Sequence, residues 1–82
     1  MNGQPASAPL PPRRVAVRMH YSMIGQFMLY WIEYGRPCDL AVKRSNRDKE
    51  TIGVCLDVVG NDTADMLRVI KNRLGVDIVD LR

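Results

Sequence analysis

The spacing of apolar residues switches between a period of two and a helical period along the chain, and this switching limits the fold more than any other feature. Residues 13–20, RRVAVRMH, alternate strictly between apolar and polar side chains, and residues 38–43 and 51–59 alternate in the same way. Such alternation is typical of strands that bury one face. The sequence therefore predicts three strands with a common buried side.

Two helices are predicted between these strands. The first begins at an N-cap on Ser22 and runs to about Tyr34, where Gly35 ends it. The second covers residues 62–74, with acidic residues in its first turn, basic residues near its end and Gly75 behind it. Its predicted apolar stripe consists of Ala64, Leu67, Ile70 and Leu74.

A short strand over residues 76–81 completes the order β-α-β-β-α-β. This order predicts an α+β fold of the ferredoxin-like type, in which two helices cover one face of a four-stranded antiparallel sheet with strand order 4-1-3-2. The inward-facing strand residues are expected to be Val15, Val17, Met19, Leu40, Val42, Ile52, Val54, Leu56, Val58 and Ile78.

The 82 residues leave room for one small domain. Residues 1–12 carry no charge and hold four of the five prolines, so we predict a disordered proline-rich tail followed by a single domain over residues 13–82. The tail lacks the basic and apolar regions of a signal peptide, and no apolar run is long enough to span a membrane. Cys38 and Cys55 are too few for a disulfide framework, which favours a cytoplasmic protein.

All five aromatic residues lie between Tyr21 and Tyr34, and the predicted first helix is apolar on almost every side. One face explains Ile24, Phe27, Met28 and Trp31 as core residues. The remaining side chains either close the edge of the core or form a contact surface, because Tyr, Trp and Met are enriched in protein interfaces. The residues proposed to bind a partner are Met23, Tyr30, Trp31 and Tyr34.

The other face of the sheet is predicted to carry small side chains, Ala16, Gly53 and Cys55, at the centre of its strands. Nucleic-acid-binding sheets need aromatic rings there for base stacking, so this pattern argues against nucleic acid. The basic residues of the 43–49 loop are interleaved with Asp48, and Glu50 follows them. The overall charge of +3 is correspondingly modest.

The segment between the first strand and the first helix is the candidate ligand site. Free backbone N–H groups at a helix start can bind an anion or a carboxylate. The residues of this speculative site are His20, Tyr21, Ser22, Gly25 and Gln26. No nucleophile–base pair, P-loop or set of metal ligands accompanies them, so we expect no catalytic residues, no metal and no cofactor.

Residues 52–81, IGVCLDVVGNDTADMLRVIKNRLGVDIVDL, resemble ACT-type regulatory domains. The shared features are an apolar strand, a turn with Gly and Asn, an amphipathic helix that ends in Leu-Gly-Val, and a final Val/Ile strand. The segment is also similar to the NIL domain of methionine-importer ATPases. The resemblance implies an amino-acid-sensing domain, although residues 19–25, MHYSMIG, lack the proline of the ACT ligand loop and residues 38–40, CDL, differ from the Asn-Ile-Leu triplet of the NIL pattern.

Taken together, these patterns predict a small non-enzymatic regulatory or adaptor protein that acts through its first helix and open sheet face. Its expected partner is a second copy or a larger protein. The alternatives are an ACT-like amino-acid-sensing regulatory domain and, third, a nucleic-acid-binding accessory protein.

Overall fold

The computed structural model describes residues 13–81. The predicted tail and Arg82 lie outside the described residues. The elements in chain order are β1 (Arg13–His20), a 3-10 turn (Tyr21–Met23), α1 (Ile24–Glu33), β2 (Ala41–Arg44), β3 (Thr51–Val58), α2 (Asn61–Leu74) and β4 (Asp77–Asp80).

The four strands form one antiparallel sheet in the order β2-β3-β1-β4. The prediction of an α+β fold with a four-stranded antiparallel sheet and two helices is confirmed, and the arrangement is compatible with a ferredoxin-like fold. Each helix starts where its preceding strand ends and leads back to the other end of the sheet. Because β1 and β3 are antiparallel, α1 and α2 also run in opposite directions.

The core lies between the sheet and both helices. Alternate residues of β1 and β3 face it, as their pairing in register requires: Val15 opposite Leu56, Val17 opposite Val54 and Met19 opposite Ile52. The helices contribute the buried side chains Phe27, Met66, Leu67 and Ile70. Apolar burial of this kind is the main stabilising contribution in so small a domain.

Two predicted core positions are wrong. Val42 pairs with the buried Val54, but it lies on the short edge strand β2 and its exposed fraction is 55%. Ala64 is exposed, whereas Thr63 and Met66 are buried. The buried stripe of α2 is therefore centred about one residue earlier in sequence than predicted.

The helix ends are formed by local hydrogen bonds. Ser22 is not the N-cap of α1, because it lies within the 3-10 turn and its N–H donates to the His20 imidazole Nδ1 at 3.1 Å. At the other end of α1 the Arg36 N–H donates to the Trp31 carbonyl, a bond typical of a Schellman motif. Gly75 ends α2 with a φ of 66°, which glycine adopts at low cost.

Candidate interaction surfaces

The α1 helix packs most of its apolar side chains against the core. Phe27 is fully buried, and six neighbours in and beside the helix are partly buried against the same core: Met23, Ile24, Met28, Tyr30, Trp31 and Tyr34. The large apolar side chains that point into solvent are Leu29 and Ile32, with exposed fractions of 63% and 51%. Neither was among the predicted partner-binding residues.

Trp31 has a structural contact of its own. Its indole Nε1 donates to the Cys38 carbonyl at 2.8 Å, which ties the segment before β2 to the helix. The Arg36 guanidinium lies 5.9 Å from the centre of the indole ring, within range of a cation–π interaction. The half-buried indole therefore holds the chain that follows α1.

An open groove of about 600 Å³ runs between α1 and α2. Its apolar lining comes from both helices: Leu29, Tyr30, Tyr34, Val69 and Leu74. Gln26, Glu33 and Arg73 complete the lining. Because the helices are antiparallel and both charges lie at helix C-termini, Glu33 and Arg73 occupy opposite ends of the groove.

The predicted partner-binding residues are thus divided between two environments. Tyr30 and Tyr34 line the groove. Met23 and Trp31 pack against the core and do not line the groove between α1 and α2. The helical period indicates the inward face of α1, but it does not reveal which of the remaining apolar residues α2 covers. That choice depends on how the two helices pack.

The five residues of the predicted ligand site lie in separate surroundings. The His20 Nδ1 atom is 2.8 Å from the Ser22 hydroxyl and accepts the Ser22 N–H, while the Tyr21 N–H donates to the Glu50 carbonyl at 2.8 Å. Gly25 is exposed, and Gln26 faces the helix groove. The N–H groups of Tyr21 and Ser22 are therefore already bonded within the protein, and amino-acid sensing stays a prediction from the resemblance.

The open face of the sheet carries different side chains at its two ends. In the middle, Ala41, Cys55, Ala16 and Val79 lie side by side across the four strands. Toward one end lie Arg14, Asp57 and Asp39, which line a shared groove. Toward the other end Gly53 lies between Lys43 and Arg18. The small central residues were expected from the sequence, whereas the separation of charge along the face depends on the register.

At the end of the open face that carries Asp39 and Asp57, Arg14 and Asp57 form a two-point ion pair across β1 and β3. The Arg14 Nε atom donates to Asp57 Oδ1 at 2.9 Å, and Nη2 donates to Oδ2 at 3.3 Å. These hydrogen bonds stabilise the carboxylate and lower the pKa of Asp57 below its ordinary value. The same contact raises the pKa of Arg14.

This ion pair gives a testable pH dependence. We expect the Asp57 carboxyl to titrate, in an NMR-detected pH titration, at a lower pH than an ordinary aspartate, and Arg14→Gln to move its midpoint upward. Because the pKa is lower in the folded state, the pair contributes stability above the ordinary aspartate pKa and loses it as the pH falls through the folded value. An unchanged midpoint in Arg14→Gln would contradict the assignment, and Arg13→Gln, on the neighbouring Asp80 pair, is the matched control.

Both cysteines are free and half-buried. Burial raises the pKa of the Cys38 thiol, although hydrogen bonds with Thr63 and Trp31 partly offset the effect. Raised thiol pKa values reduce the thiolate fraction and hence reactivity. Cys38 is therefore suited to packing rather than to nucleophilic chemistry.

Among residues 13–81, no group of three His, Cys, Asp or Glu side chains is placed to hold a metal ion. Within the same part of the chain, no helix has the length and apolar character needed to cross a membrane. Comparison of the chain with family models, curated proteins and solved structures gives no match.

Proposed function

We propose that this chain is a small, non-enzymatic regulatory or adaptor protein, a ferredoxin-like domain of the cytoplasm that acts by protein–protein contact. The observation that carries the proposal is the apolar groove between α1 and α2, with Leu29 and Ile32 exposed on the helix that forms one wall. Contiguous apolar surface of this kind is typical of interaction sites. The free thiols of Cys38 and Cys55 support a reducing compartment, and the resemblance to ACT-type domains supports a regulatory role.

The partner that fits this groove is a second copy of the chain. Glu33 and Arg73 carry opposite charges at opposite ends of the groove. A twofold axis perpendicular to the helices brings the Glu33 end of one protomer to the Arg73 end of the other, and it does so twice. Isologous interfaces require this self-complementarity. The same axis places the exposed Leu29 side chain of each copy over the groove of the other.

Sedimentation velocity tests the proposal. The chain is expected to be a dimer at roughly 100 μM protomer. Leu29→Asp is expected to weaken dimerisation by about 100-fold or more, because the carboxylate of each protomer would have to lose its water in an apolar contact. Val59→Asp is the matched control, since Val59 is an exposed apolar residue that does not line the groove.

Charge reversal distinguishes a second copy from another partner. Glu33→Arg alone and Arg73→Glu alone each create two like-charge contacts across the twofold axis, and we expect each to weaken the dimer by about tenfold. The double variant Glu33→Arg/Arg73→Glu is expected to restore dimerisation. A chain that stays monomeric at this concentration, or a double variant no better than either single variant, would exclude the homodimer.

A further inference from the structure

A second surface, on the side of the sheet away from the helices, collects positive charge. An open groove of about 460 Å³ lies at the Lys43 end of the open face. Arg44 borders the groove, but its pairing with the core-facing Ile52 directs its side chain to the other face of the sheet. Three other exposed cationic residues line the groove: Arg18, Lys43 and Arg47. They come from β1, β2 and the hairpin loop, and small residues such as Gly53 and Ala16 form its floor. No carboxylate lines this groove.

The acidic residues that are close in sequence are held by other contacts. Both carboxylate oxygens of Asp48 accept hydrogen bonds within the hairpin, from the Glu50 N–H at 2.9 Å and from the Thr51 hydroxyl at 2.8 Å. The Glu50 carboxylate lies 3.8 Å from the His20 Nε2 atom. These contacts leave both carboxylates charged, but neither Asp48 nor Glu50 lines the groove.

Three further carboxylates flank the groove. Lys43 also lines the adjacent groove that contains Asp39 and Asp57. Asp77 lies opposite Arg18 on β4, on the side of β1 away from β3. None of these three carboxylates lines the groove, and among the described residues no ion pair joins one of them to Arg18, Lys43 or Arg47. The three cations therefore remain available to an anionic ligand.

An exposed aromatic ring stands at the same end of the sheet. Tyr21 has an exposed fraction of 54% and stacks on the His20 imidazole, with 4.6 Å between the ring centres. The Tyr21 N–H bonds to the Glu50 carbonyl, next to Thr51, which lines the groove. The imidazole packs on one face of the tyrosine ring, and more than half of the residue is exposed to solvent.

We propose that this groove binds single-stranded nucleic acid, with the phosphate backbone along Arg18, Lys43 and Arg47 and a base stacked on Tyr21. The cations are spread over three segments of chain, a layout suited to successive phosphates of a polyanion. Phosphate contacts combined with aromatic stacking are the usual basis of sequence-independent single-strand binding. The site lies opposite the α1–α2 groove, so it is independent of the proposed dimer.

The salt dependence of binding provides the first measurement. Fluorescence anisotropy is read with labelled oligouridylate and oligodeoxythymidylate of about 12 nucleotides, at protein concentrations of roughly 1–100 μM. With three phosphates neutralised, the affinity of the full chain is expected to fall about 20-fold between about 50 and 200 mM salt. Absence of binding at the low salt concentration, or binding insensitive to salt, would overturn the proposal.

Matched variants locate the site. Lys43→Gln/Arg47→Gln is expected to weaken binding at least about tenfold and to reduce the salt effect to about threefold. Lys49→Gln/Lys71→Gln removes the same charge outside the groove and is expected to retain most of the affinity. Equal losses in the two double variants would overturn the site, since they would reflect net charge alone.

Tyr21→Ala separates single-strand binding from general attraction to anions. Its loss of affinity is expected to be about fivefold or more for the oligonucleotides and negligible for a duplex of the same length. An unchanged oligonucleotide affinity in Tyr21→Ala, or tighter binding to the duplex or to vesicles containing phosphatidylserine than to single strands, would overturn the proposal. Circular dichroism of each variant establishes that the fold is retained.

Discussion

Replacing Phe27 by alanine is expected to lower the free energy of unfolding by about 3–5 kcal/mol. Phe27 is the fully buried residue of α1, and its ring packs among the strand residues that alternate into the core. Removing it leaves a cavity that the neighbouring side chains can fill only in part. Since a small domain has a total stability of about 5–15 kcal/mol, this loss is a large fraction of it. Urea denaturation at a fixed protomer concentration measures the change.

Two variants of the same helix serve as controls for this result. Phe27→Leu keeps most of the apolar volume and is expected to cost clearly less than Phe27→Ala. Gln26→Ala, at an exposed neighbouring position, is expected to change stability by no more than about 0.5 kcal/mol. A loss below about 1 kcal/mol for Phe27→Ala would show that the ring does not occupy the core.

Replacing Met66 by alanine is expected to cost about 2–5 kcal/mol. Met66 is fully buried on α2 and fills the space between that helix and the sheet. Met66→Leu conserves volume and is expected to cost less than about 1.5 kcal/mol. Thermal or urea unfolding of the three proteins, again at equal protomer concentration, provides the comparison.

The neighbouring Ala64 tests which face of α2 is buried. Ala64→Ser is expected to change stability by no more than about 0.5 kcal/mol, because Ala64 is exposed. If the stripe inferred from sequence were correct, this substitution would place a hydroxyl in the core and Met66→Ala would be tolerated. The two variants together therefore distinguish faces that differ by one position along the helix.

Several parts of the fold could be predicted because each depends on residues close in sequence. The alternation in β1 and β3 fixes which side chains share a face, and the burial of Val15, Val17, Val54 and Leu56 confirms it. Glycine after a helical segment predicts the end of α2 at Gly75. The predicted burial of Val42 was wrong. A side chain on an edge strand is buried only where a helix covers the strand, and alternation within the strand does not show whether a helix does so.

The candidate surfaces were predicted less completely. Tyr30 and Tyr34 were predicted from residue type, and they do line the helix groove. The sequence pattern does not distinguish Leu29 and Ile32 from the other apolar residues of a helix that is apolar on almost every side. The sequence also does not indicate that Arg18 and Lys43 are close together. Strand pairing places them on either side of Gly53. The residues that line the helix groove depend on how the two helices pack, and the residues that line the basic groove depend on the pairing of distant strands.

The strands and amphipathic helices around one small core follow from local sequence patterns, because periodicity and helix-ending residues act over a few positions. Three-dimensional packing, in contrast, sets which apolar residues of α1 remain exposed and which charged side chains form ion pairs. Burial and ion pairing depend on contacts between segments distant in sequence, such as Arg14 with Asp57. The surfaces on which function depends therefore arise from packing and strand register rather than from any local motif.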